Sequence, residues 1–319
     1  MITVDNLKKD FDGLQAVDGV TFSVSPGEVL GFLGPNGAGK STTMKMLTGF
    51  IKPSAGRVSL YGKDVFTQAV EAKRLVGYLP EGAPAWDDMT PERFLAFVGT
   101  VRGLAEPTRS QRIAEVIKLL ELEPVCGRPI EKLSKGYRRR VGIAQAILHD
   151  PRILILDEPT DGLDPNQKHH VRELIRGLAQ DRIVIVSTHI LEEVTAVCTR
   201  TIIIANGRIL VDCTPAELEA RSRYHKAVAL QVPELDEQEV TRALGALEGV
   251  LTVEVSPNHA GRYTVVAQEQ ADLFQPVCQL VQEKKWPVEE IFMERGRLDD
   301  VFRQLTSSRK NEACEARVA

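Results

Sequence analysis

The chain has 319 residues, 43% of them hydrophobic and 26% charged, with a formal net charge of −4. That is an ordinary globular balance with room for two domains, and it lacks the global basic field that draws a protein to nucleic acid. The five cysteines, Cys126, Cys198, Cys213, Cys278 and Cys314, are scattered without a C-x-x-C pair, which argues against a disulfide framework or a zinc site and fits a reducing cytoplasm.

The chain opens as β structure. "MITVDNLKKDF" reads as a strand, Asp12-Gly13 marks a turn, and Val20, Phe22 and Val24 alternate as one buried face. No apolar stretch of secretory-leader length follows Met1, and no run approaches the roughly 18 residues that cross a bilayer. A membrane role would therefore need a second chain. "VLGFL" is a short buried-strand run, followed by a Gly-rich turn and a helix from Lys40 to about Phe50. "RVSLYG" and "VGYLP" return to strand. Residues 84–150 change character to helical, with Thr90 as N-cap, Pro91 at N1, and Ile113, Val116, Ile117 and Leu120 on one face. "RILILDEP", "RIVIVSTHI" and "RTIIIANGRIL" are strands separated by helices, so the core is expected to be a parallel α/β sheet. From residue 222 to 306 the order β-α-β-β-α-β predicts a small α+β, ferredoxin-like domain, and residues 307–319 lack periodicity and are expected to be a disordered tail.

Three stretches carry chemistry. "GPNGAGKS", residues 34–41, fits G-x-x-x-x-G-K-[ST] between a buried strand and a helix. Gly34, Pro35, Asn36, Gly37, Ala38 and Gly39 let main-chain N–H groups wrap a phosphate at a helix N-terminus. Lys40 would reach the β- and γ-phosphates, and the Ser41 hydroxyl would bind Mg²⁺. "ILILDEP" ends a buried strand in two carboxylates: Asp157 suits the metal, and Glu158 can orient or deprotonate a water. His189 follows the next buried strand and emerges at the same sheet edge, where open α/β sheets bind ligands. His169 and His170 read as solvated residues of a polar helix.

"LSKGYRRRVGIAQAIL", residues 133–148, starts a helix that Ser134 can cap, with Lys135 and Gly136 in its first turn. That helix end is a second anion cradle. The spacing is compatible with the two cradles meeting within one chain or across a dimer. Arg138, Arg139 and Arg140 read mostly as the polar side of this helix.

In this order, "GPNGAGKS", "LSKGY", "ILILDEP", "DGLD" and "STH" resemble the ATP-binding subunits of ABC transporters over residues 1–211. The resemblance implies a P-loop ABC nucleotide-binding domain over residues 1–221, with ATP and Mg²⁺ as ligands. Thr42 falls beside Ser41 on the Walker A positions, Asp157 on the Walker B metal position, Glu158 on the catalytic glutamate and His189 on the switch histidine. Asp164 closes the D-loop, and Phe11 sits where an aromatic stacks on adenine. It also implies a head-to-tail homodimer in which Ser134–Gly136 of one subunit closes over ATP held by the other. The partner it implies is a separately encoded ABC-2 type permease at the cytoplasmic face of the membrane. The ending "DVFRQLT" is similar to ATPases of gliding-motility, drug and polysaccharide export.

Two positions depart from the family pattern. Lys135 and Tyr137 alter LSGGQ, and Glu81 in "GYLPE" stands where the family carries the Q-loop glutamine. Ionised Glu81 can bind Mg²⁺ or water but cannot donate as an amide does. The alternative class, a soluble ABC ATPase acting on nucleic acid or ribosomes, fits the single cassette, the negative charge and the lack of sustained heptads less well. A P-loop kinase or GTPase leaves "LSKGY" unexplained, and no N-K-x-D occurs.

Overall fold

Strands that are apolar at every position need cover on both faces. The computed structural model supplies it; it describes residues 1–82, 85–233, 235–257, 259–268 and 271–315, with side chains as far as residue 306. Two compact units divide at Pro215/Ala216, six residues before the boundary expected from sequence.

In the first unit, β1 (Ile2–Phe11) and β2 (Leu14–Val24) form a hairpin across Asp12-Gly13. β3 (Val29–Leu33) leads through the Gly-rich loop into α1 (Lys40–Leu47). Next come β4 (Ala55–Leu60), β5 (Lys63–Asp64), α2 (Ala69–Arg74) and β6 (Val76–Leu79). The helical segment contains α3 (Pro91–Val101), α4 (Thr108–Leu119) and α5 (Lys135–Ile147). α3 starts as expected, with Thr90 accepting from the Arg93 N–H and Pro91 at the first turn. The core resumes with β7 (Ile153–Asp157), α6 (Pro165–Ala179), β8 (Ile183–Thr188), α7 (Leu191–Val197) and the hairpin β9 (Arg200–Ala205) and β10 (Arg208–Cys213).

Six strands form the central sheet in the order β10-β9-β3-β8-β7-β6, parallel except for the β10 edge. A second sheet, β2-β1-β4-β5, lies over one face. Ile153, Ile155, Ile183 and Ile185 pack toward that layer with Val20, Phe22 and Val24. Leu154, Leu156, Val184 and Val186 pack toward the helical side with Ile143, Ala144 and Ile147. Burial on alternate sides explains why the runs "ILIL" and "IVIV" contain no polar residue.

α8 (Pro215–Glu219) begins at the division. The second unit then contains β11 (Val228–Gln231), α9 (Glu237–Gly245), β12 (Val250–Val255), β13 (Arg262–Ala267), α10 (Phe274–Lys284), β14 (Glu290–Met293) and α11 (Leu298–Glu315). Its sheet runs β12-β13-β11-β14 with every neighbour antiparallel, the order of the ferredoxin-like fold. Val228, Leu230, Tyr263 and Val265 meet Val240, Leu244 and Val277 of the two helices. The tail departs from expectation: the backbone continues as α11 through Glu315, and residues 316–319 lie outside the described residues. Arg, Lys, Glu and Ala dominate that stretch and carry good intrinsic helix propensity without needing an apolar face.

Candidate nucleotide site

The Gly-rich loop turns because its glycines are needed where they stand. A Cβ on Gly34 would lie 2.4 Å from the Ile204 carbonyl oxygen, and one on Gly39 would lie 2.5 Å from that of Ala16. Gly39 also has φ +104°, a region that L side chains rarely enter. Gly34 and Ala38 are buried and Pro35 is exposed, with the Ala38 N–H donating to the Pro35 carbonyl at 3.1 Å. Lys40 is 7% exposed, and its Nζ donates to the carbonyls of Gly34 at 2.7 Å and Pro35 at 3.2 Å. The ammonium is thereby held across the loop mouth. Burial pushes its pKa down, and the nearby carboxylates of Glu158, Asp157 and Glu81 oppose that.

A cleft of about 490 Å³ opens over this loop. Asn36, Gly37, Gly39, Lys40, Ser41 and Thr42 form one wall, and Glu81 and Glu158 face them. Phe11, Leu14 and Ala16 form the apolar end. Phe11 stands at the β1–β2 hairpin tip, 41% exposed, with the Lys9 ammonium 4.8 Å from its ring centre, so it is a surface aromatic rather than a core one.

β7 delivers the two carboxylates, and β8 brings Ser187 and His189 beside them. Asp157 is 1% exposed; its Oδ1 accepts from the Ser187 hydroxyl, and its Oδ2 has no partner among the described residues. Asp157 does not itself line the cleft, but its charge acts on Lys40, which does; an orphaned buried carboxylate oxygen there fits an oxygen-seeking divalent cation such as Mg²⁺. Glu158 has φ +51°, unusual outside glycine, and its N–H donates to the Ser187 carbonyl at 3.0 Å. The turn points its carboxylate into the cleft. There its Oε2 meets His189 Nδ1 at 2.9 Å, as sequence position suggests. Burial pushes the Glu158 pKa up, and His189 opposes the shift. A carboxylate made more basic in this way is better placed to accept a proton.

The remaining expected residues gather elsewhere. Ser134 caps α5, its Oγ accepting from the Tyr137 N–H at 3.4 Å. Gly136 is buried against Gln167, whose Oε1 would be 2.3 Å from an added Cβ. The Lys135 side chain lies over Gly162. Asp164 caps α6, accepting from the Gln167 N–H at 2.9 Å. None of these four residues lines the 490 Å³ cleft. His169 and His170 are exposed, as expected.

The arginine run needs correction. Arg138 is exposed, but Arg139 and Arg140 are 5% and 9% exposed. Arg140 bonds the Leu120 carbonyl and the Glu121 carboxylate at 3.3 and 2.9 Å, tying α5 to the end of α4. Arg139 reaches the main chain of residues 157–159. The clue was periodic: Arg139 shares a helical stripe with Ile143 and Ala146. Glu193, unnoticed in sequence, is 3% exposed and accepts from the hydroxyls of Thr160 and, at 3.0 Å, Thr188.

A phosphate-wrapping loop at the head of α1, with two carboxylates and a histidine at the C-terminal ends of parallel strands, defines a P-loop nucleotide-binding unit. Comparison with known proteins narrows this. The ABC transporter family matches residues 17–161. Nod factor export ATP-binding protein I of Ralstonia nicotianae is 36% identical over 219 residues, 68% of this chain and 68% of that protein. A solved ATP-binding subunit of an ABC transporter matches with a TM-score of 0.65 at 30% identity, over 69% of this chain and 92% of that one. The dimeric, post-hydrolysis structure of the cassette MJ0796 bound to ADP and Pi matches in fold with a TM-score of 0.63 at 23% identity, over 67% of this chain and 99% of that one. The chain belongs to the ATP-binding proteins of ABC transporters, and it is an ATPase.

Proposed function

We propose that the chain works as a head-to-tail homodimer that hydrolyses ATP to drive a separately encoded ABC-2 type export permease. The observation that carries the reading is the separation of two half-sites. The loop cleft holds Lys40, Ser41, Thr42 and Glu158, whereas Ser134, Lys135 and Gly136 surround the N-termini of α5 and α6 and stay out of that cleft. A second copy can bring its α5 N-terminus over the phosphates, adding the Ser134 hydroxyl, the Gly136 N–H and the Lys135 charge to the γ-phosphate.

In this reading Phe11 stacks on the base, and the amides of residues 36–42 with Lys40 hold the phosphate chain. Ser41 and Asp157 hold Mg²⁺, with Glu81 within reach of its water shell. When bound, the ion screens the charge of the phosphates. Glu158 takes the proton of the attacking water, and His189 fixes the carboxylate's direction and faces the γ-phosphate. Asp164 orients the loop that meets the partner subunit. The second unit is an accessory domain. Support for export comes from the Nod factor export relative and from the "DVFRQLT" ending. A permease would hold the dimer at the cytoplasmic face of the membrane; no described helix is long and apolar enough to cross it. An apolar cleft with exposed Phe50, Trp86, Phe97 and Val101 is the surface we assign to the permease.

Glu158→Gln tests the base. We expect turnover to fall at least ~100-fold while ATP is still bound, with ATP shifting the variant to a dimer on size exclusion. Hydrolysis at the wild-type rate would remove Glu158 from the mechanism.

A further inference from the structure

The functional reading uses Ser134–Gly136 and leaves Arg139, one turn further along α5, without a role. Its surroundings are unusual. The guanidinium is 5% exposed, and among the described residues no carboxylate lies within ion-pair distance of it. The carboxylates of Asp161, Asp157, Glu158 and Glu81 favour its charge from beyond ion-pair distance, while burial opposes it, and a buried guanidinium still needs partners for its donors. Here they go to main-chain carbonyls. Nε donates to Pro159 and Nη1 to Pro80, each at 3.3 Å, and Nη2 donates to both Asp157 and Glu158.

Three of those carbonyls are consecutive, and they belong to the turn in which Glu158 takes φ +51°. A non-glycine residue in that region is strained and persists only where its surroundings over-determine it. Ser187 holds the turn from β8, through its carbonyl to the Glu158 N–H and its hydroxyl to Asp157. Glu193 holds the Thr160 hydroxyl just beyond. Arg139 holds the same turn from the α5 side. Its fourth carbonyl, Pro80, immediately precedes Glu81 on the opposite wall of the cleft. The planar, five-donor fork of arginine suits this task, whereas lysine offers only a point charge on a flexible stem.

We propose that Arg139 is a positioning residue that fixes the main chain beneath Glu158 and Glu81 and makes the base move as one body with the helix that Ser134 begins. This rests on the assignment of Glu158 as the base. Arg139 itself touches no cleft-lining phosphate ligand, so its effect should fall on the chemical step.

The test compares Arg139→Gln and Arg139→Lys with Glu158→Gln in the full chain, measuring kcat, KM for ATP and the melting temperature with and without ATP. Misplacing a catalytic group by about 1 Å can cost ~100-fold. We expect Arg139→Gln to lose at least ~10-fold in kcat while KM stays within about twofold and ATP raises its melting temperature as in the wild type. Arg139→Lys, which keeps the charge and part of the donor set, should recover some of the loss yet remain ~3-fold or more below wild type. A wild-type kcat in Arg139→Gln, or a KM that rises in step with the loss, overturns the proposal. Should Arg139→Gln fail to fold, a wild-type kcat in Arg139→Lys overturns it equally. Turnover surviving in Glu158→Gln would refute the base itself; an inactive Glu158→Gln beside a normal Arg139 series refutes only the role of Arg139.

Discussion

At the scale of single residues, His149 makes a contribution that sequence reading passed over. It lies two residues past α5, and its Nε2–H donates to the Val76 carbonyl at 3.1 Å while Nδ1 is buried without a partner among the described residues. Burial first, and the nearby Arg102 second, push its pKa from 6.5 down to about 4. Between those values the unfolded chain binds a proton that the folded chain refuses, so this contribution to stability is full above pH ~6.5 and is lost as the pH falls toward ~4. His149→Gln keeps a donor for Val76 without a titrating group. Its melting temperature should therefore decline less than that of the wild type between pH 7 and pH 5. Parallel declines would show that another group controls the window. The placement of the motif residues was legible because it depends on local spacing: the Gly-rich loop leads into α1, Asp157 ends β7 with Glu158 next to it, and Ser134 caps α5. Arg139, Glu193 and His149 were not legible, because each acts on a strand or turn distant in the chain.

At the scale of elements, α5 and β6 form a matched pair. β6 is the edge strand of the central sheet; it bonds β7 on one side, leaving the carbonyls of Val76, Tyr78 and Pro80 on the other. Those three carbonyls are taken by His149, Gln145 and Arg139, the last two being residues of α5. Side chains thus satisfy a row that would otherwise invite another strand. Such close approach depends on Gly77, where a Cβ would lie 2.1 Å from the Ala146 carbonyl oxygen. Gly77→Ala must push α5 outward. We expect ~1–3 kcal/mol of destabilisation, read as a lower denaturant midpoint at unchanged slope, together with a lower kcat because Arg139 retreats from its carbonyls. An unaffected midpoint would mean that the contact relaxes freely.

For the whole molecule, the two half-sites predict complementation. Take one chain with Lys40→Ala and another with Ser134→Arg, each inactive alone. In a head-to-tail dimer of the two, one site keeps an intact loop from one chain and an intact α5 end from the other. Mixing should restore up to about a quarter of wild-type turnover, since half the dimers are mixed and each holds one intact site of two. No recovery on verified mixing would place both halves of the site in one chain. The alternation of buried strands and helices fixed the first unit's class at sequence level, and the β-α-β-β-α-β order fixed the second. The division between them was legible only to within six residues, because α8 carries no composition change.

The apolar end of the cleft bears on which molecules the enzyme accepts. Phe11, Leu14 and Ala16 offer a flat hydrophobic surface and no side-chain donor or acceptor for a base edge. Discrimination among purines by hydrogen bonding is worth several orders of magnitude only where a site supplies the matching groups. With Phe11 stacked on the base as proposed, this end meets the face of a base and not its edge, so we expect GTP to displace bound ATP at comparable concentration; failure of GTP to compete in a binding assay would show a contact to the base edge.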